Sequence, residues 1–134
     1  MASRARTALS LLATAGTMLA LDALWIGVIA KPAYDALGSL KRDKPFLPAA
    51  GLFYGMYAMA TYVYAIKPAA TAGEAAKRAA GLGLVAYATY ELTNAAIIRD
   101  WPAILVPVDT GWGIALSAAS AAVGHVVRGR RHEG

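Results

Sequence analysis

Long apolar runs separated by short polar, proline-bearing segments set the pattern of this chain. From Thr7 to Ala30 only Asp22 is charged, and at about 1.5 Å per residue such a run crosses the roughly 30 Å hydrocarbon core of a bilayer as a helix. Lys31-Pro32 ends it, because proline lacks a backbone donor and disfavours helix in the residue before it. A polar loop follows with Tyr34, Asp35, Lys41, Arg42, Asp43 and Lys44, and then an uncharged second run over 46–66, with Pro48 suited to its first turn. Lys67-Pro68 closes that run. A third, 75–98, begins just behind Glu74 and ends at the tight turn Arg99-Asp100-Trp101-Pro102, where Trp101 suits the headgroup level. The fourth, 102–127, carries Pro107, Asp109 and Gly111-Trp112-Gly113, and Pro107 predicts a kink near its start. The pattern predicts an all-α fold: one domain, 1–134, built as a four-transmembrane-helix bundle with spans near 7–30, 46–66, 75–98 and 102–127.

Composition agrees with lipid as a solvent. The 134 residues are 58% hydrophobic with a mean hydropathy of +0.47, too apolar for an ordinary small soluble fold. Cysteine is absent, which excludes disulfides, thiolate catalysis and Cys-ligated metal. The net charge of +5 does not indicate nucleic acid, since the basic residues fall mainly in loops and tails between apolar runs. Eight Lys and Arg residues lie in the N-terminus, the loop after the second run and the C-terminus, against five in the other two loops, so the positive-inside rule puts both termini in the cytoplasm. A basic start before a Leu/Ala-rich run also fits a cleavable secretory signal, but the run continues past Asp22 through Trp25, Ile26, Val28 and Ile29, which favours a retained span.

Polar groups inside apolar runs are costly and mark candidate sites. Asp22, Glu91 and Asp109 each lie about seven or eight residues from the same predicted membrane face, a shared depth of roughly 10 to 12 Å. Tyr87, Glu91 and Asn94 share a helix face with Tyr90 beside them, and Trp25 and Trp112 flank the acidic positions. The expectation is one acidic intramembrane pocket, in which a bound proton, Arg99 or a cation offsets the clustered negative charge. Four uses compete: structural bonding between helices; binding of a lipid, isoprenoid or other small amphipathic ligand, with Arg99 and Lys31 meeting an anionic headgroup; acid/base catalysis on a lipid; and proton or ion movement, which would need an oligomer. A homo-oligomer or a membrane partner protein fits the structural use. His125 and His132 lie far from the acidic level and argue against a His-carboxylate metal site, although carboxylates alone accept a hard cation such as Mg²⁺ or Ca²⁺. No cofactor signature is present. Gly51 and Gly55, one turn apart, predict the closest helix contact, Gly81 and Gly83 read as packing positions, and Tyr57, Thr61 and Tyr64 form a polar face.

Several motifs together resemble a family of small bacterial membrane proteins, domain of unknown function 2177. They are Leu21-Asp22-Ala23-Leu24-Trp25-Ile26-Gly27, Phe53-Tyr54, Tyr87-Ala88-Thr89-Tyr90-Glu91-Leu92-Thr93-Asn94, Trp101-Pro102 and Val108-Asp109-Thr110-Gly111-Trp112-Gly113. The resemblance covers nearly the whole chain. It implies a four-span protein of the bacterial inner membrane and brings no activity with it. Where Glu91 stands the family pattern has Asp, so the charge is kept on a longer arm.

Overall fold

The computed structural model describes residues 2–129; His132, Arg131 and most of the basic tail lie outside them. Helix α1, Ala2–Leu24, continues through a wide π turn, Trp25–Ile29, into a short helix α2, Lys31–Asp35, that starts with Pro32 in its first turn. A 3₁₀ turn, Gly38–Leu40, leads to α3, Leu47–Thr61, which also ends in a π turn, Tyr62–Ile66. Helices α4, Ala72–Ile97, and α5, Leu105–Arg128, complete an all-α chain with four main helices.

Local chemistry sets the helix ends. Thr71 caps α4 by accepting from the Glu74 N–H at 3.1 Å, while the Glu74 carboxylate accepts from the Ala70 N–H at 2.5 Å. That second bond, with Arg78, holds the Glu74 carboxyl below its usual range. Asp100 turns the chain between α4 and α5 with φ of 63°, a left-handed conformation that Asp tolerates better than most residues. Pro107 does not interrupt the fourth helix. The fourth helix begins at Leu105, later than its predicted start, so Pro107 falls in the first turn, where no backbone donor is required.

Helix α5 is the centre of the bundle. It packs most extensively on α4, then on α1, whereas α3 leans on α1 and is tied to α4 and α5 mainly through its π turn. The closest approaches fall at Gly83, Gly113 and Gly124. A side-chain carbon on Gly83 would meet the Gly113 carbonyl at 2.5 Å, one on Gly113 would enter the Tyr87 ring, and one on Gly124 would collide with Thr14 and Ile66. The expectation for Gly51 and Gly55 is overturned. Both face open space, as does Gly81, because the face of α3 that carries the pair is turned outward, away from the other helices.

Polar side chains are buried in the bundle while large apolar ones face outward. Ser10, Thr14, Thr61, Ser117 and Ser120 are completely buried, while Leu12, Leu47, Leu52 and Ile97 are exposed. Ser10 donates to the Gly124 carbonyl at 2.7 Å, and the Tyr57 and Ser117 hydroxyls are paired at 2.6 Å, whereas the exposed Tyr64 leaves the polar face that it was expected to share with Tyr57 and Thr61. Such an arrangement suits a solvent that accepts hydrocarbon and offers no hydrogen bonds. Two helical stretches, Arg4–Ile29 and Leu105–Arg128, are long and apolar enough to cross a membrane. The stretch 47–66 is uncharged and carries four tyrosines, and α4 carries Glu91 and Asn94 with basic residues in its first turns.

Candidate functional site

At the end of the bundle away from Ser10 and Gly124, α1 and α5 exchange hydrogen bonds through a repeated pattern, Asp22-x-x-Trp25 and Asp109-x-x-Trp112. Three residues apart on a helix, each Asp and its Trp share a face. Trp112 Nε1 donates to Asp22 Oδ1 at 2.8 Å, and Trp25 Nε1 donates to Asp109 Oδ1 at 3.3 Å. The two indoles stack with centroids 4.6 Å apart and planes 4° from parallel. Each helix thus supplies an acceptor and a donor to the other, with the ring stack between them. Tyr54 of α3 donates to the second oxygen of Asp22 at 2.5 Å. Both Asp22 oxygens are thus engaged, one from α5 and one from α3.

Glu91 is completely buried behind Asp109. Trp101, in the turn after α4, donates to Glu91 Oε1 at 2.9 Å and packs edge-on against Tyr90 with centroids 6.1 Å apart. No donor from the protein reaches Glu91 Oε2. The Asp109 carboxyl lies within hydrogen-bonding reach of Glu91, and Tyr34 of α2 also reaches Asp109. The two buried carboxyl groups thus adjoin one another.

These groups border a cavity of about 320 Å³. Its polar wall consists of Asp22 and Asp109, its aromatic wall of Trp25, Tyr34, Phe53, Tyr54, Tyr87 and Tyr90, and Ile26 and Ala86 complete it. All five helices contribute. Phe53 and Tyr90 are 37% and 51% exposed, which puts the cavity's open side between α3 and α4, where those two helices make little contact.

The predicted site residues fall into three groups. Asp22, Trp25, Tyr87, Tyr90 and Asp109 line the cavity, and Trp112 and Glu91 adjoin it through Asp22 and Asp109. Asn94 is half-buried one turn further on and hydrogen-bonds Tyr90. Arg99 is exposed, and no ion pair among the described residues joins it to an acidic group of the cluster, because it lies in the turn beyond α4. Lys31 is likewise engaged elsewhere: with Lys41 it holds Asp35, at 2.7 and 2.5 Å, and these bonds keep the Asp35 carboxyl below its usual range. Tyr34, Phe53, Tyr54 and Trp101 are site residues that the sequence did not single out. The Asp-x-x-Trp repeat was the signal available for the α1–α5 pairing. Among the described residues no group of three or more His, Asp or Glu is placed to hold a metal ion. His125 lies at the other end of the bundle, 3.0 Å from the Ala69 carbonyl.

Fold and site together define a helical membrane protein with an acidic, aromatic-walled cavity. The chain belongs to the family described as predicted membrane protein (DUF2177), whose model matches residues 7–126. No curated protein and no solved structure matches it.

Proposed function

We propose that this is a four-span protein of the bacterial inner membrane that binds a small amphipathic ligand, a lipid or isoprenoid among the possibilities, in the cavity between α1, α3, α4 and α5. The observation that carries the reading is the cavity itself: about 320 Å³ bounded by six aromatic rings and two buried carboxyl groups. Small-molecule sites have this character, largely apolar with a few convergent polar groups, and the volume is near the small end of their range of roughly 300 to 1,000 Å³. The opening between α3 and α4 supports entry from the lipid side. Apolar side chains exposed on α3 and α4, including Leu52, Met56, Val85 and Ile97, support membrane placement of these two helices as well.

Binding is favoured over catalysis because both Asp22 oxygens are already engaged, by Tyr54 and Trp112. Native mass spectrometry of the protein released from lipid nanodiscs tests the reading. The expected outcome is a co-purified small molecule bound at one per chain and lost when Tyr87→Ala and Phe53→Ala reshape the wall. A bare chain under conditions that retain annular lipid would overturn it.

A further inference from the structure

The cavity gathers carboxyl groups and offers no cation among its lining residues. Asp22 and Asp109 are buried, and the side chains that donate to them, Tyr54, Trp112 and Trp25, are neutral. None of the lining residues is Lys, Arg or His, and no salt bridge among the described residues reaches the three acids. A buried charge without a partner is costly, most of all in hydrocarbon. Glu91 Oε2, completely buried and without a hydrogen-bond partner among the described residues, repeats the same deficit one layer deeper.

The walls decide which cation fits. Carboxyl groups are not gathered to ligate a metal ion, and Mg²⁺ or Ca²⁺ would require six or more oxygen ligands where the cavity presents ring faces. Aromatic rings and a carboxylate around a small volume are the chemistry that recognises an ammonium group, through attraction to ring faces and through the counter-charge. The lateral opening beside Phe53 and Tyr90 would let an alkyl body remain among lipid chains.

We propose that the cavity receives an organic cation, an ammonium head on an apolar body, with Asp22 as counter-ion and Trp25, Tyr54, Tyr87 and Tyr90 as its aromatic cage. This rests on the ligand-binding reading above and narrows it. The head belongs either to a free long-chain amine or to a choline-type lipid headgroup, which share that chemistry.

Full-length protein in a neutral maltoside detergent is titrated with decyltrimethylammonium, its uncharged all-carbon isostere, decyl sulfonate and a lysophosphatidylcholine, with Trp25–Trp112 fluorescence as the readout. Saturable binding of decyltrimethylammonium is expected, about tenfold tighter than that of the isostere. Asp22→Asn should weaken it, and Tyr90→Leu, at a half-exposed position where folding is not at stake, should weaken it several-fold; the exposed Asp35→Asn should leave it unchanged. Lysophosphatidylcholine binding as tightly would identify a lipid headgroup as the source, and binding far more weakly a free amine. Equal affinity for the cation and its isostere, or no effect of either cavity variant, would overturn the cation assignment while leaving ligand binding intact. No saturable response to any probe would overturn both.

Discussion

Asp22 and Trp112 are a pair whose worth can be measured apart from their surroundings. Trp112→Phe keeps the ring stacked on Trp25 but removes the N–H that lies 2.8 Å from Asp22. Combined with Asp22→Asn in a double-mutant cycle, it should give a coupling of about 0.5 to 3 kcal/mol in thermal or denaturant stability. Independent effects would mean that the indole contributes by packing alone. Trp101→Phe poses the complementary question at Glu91, since it takes away the sole indole donor to a fully buried carboxyl. The expected cost is about 1 to 3 kcal/mol, with Trp101→Tyr or another donor restoring part of it. Charged residues in apolar sequence announce themselves, which is why Asp22, Glu91 and Asp109 were legible. Tyr34, Tyr54 and Trp101 were not, because an aromatic residue at a membrane interface has an ordinary role as an anchor and nothing local tells which carboxylate its polar atom will reach.

At the scale of elements, helix positions followed from hydropathy and proline, whereas helix contacts did not. A Gly-x-x-x-Gly pair such as Gly51 and Gly55 says that a face is narrow, not that a neighbour occupies it. Gly83 was expected to pack and does, but Gly113 and Gly124 form no Gly-x-x-x-Gly pair, and their importance arises only when α4, α1 and α5 come together. Gly113→Leu should therefore unfold or rearrange the bundle in detergent, because its side chain would occupy the Tyr87 ring, while Gly55→Leu should leave melting unchanged. Loss of stability at Gly55 alone would show that α3 has a partner on its outer face. The start of α4 gives a pH-dependent contrast. Glu74 has a depressed carboxyl range in the folded chain, so its contribution is present above its ordinary value of 4.5 and is lost as pH falls through the folded one. The stability difference between wild type and Glu74→Gln should thus vanish in acid; a difference that persists there would assign it to packing.

For the whole molecule, the tally of basic residues and the direction of the four main helices put the acidic cavity at the end away from the termini. A reporter at the C-terminus should behave as cytoplasmic and one inserted near Ser39 as periplasmic, and the reverse pattern would move the cavity to the inner leaflet. The architecture itself has an asymmetry. Helix α3 is fixed at its later end, where Tyr62, Ala65 and Ile66 are buried against the bundle and Tyr57 pairs with Ser117, and is held ahead of these, at its middle, by the Tyr54 bond to Asp22. Mechanically it is a door with a hinge and a latch, and the latch closes on the same carboxylate that an arriving cation would seek. Tenancy and exit are then tied together: Tyr54→Phe should speed both capture and release in stopped-flow fluorescence, shifting the rates more than their ratio.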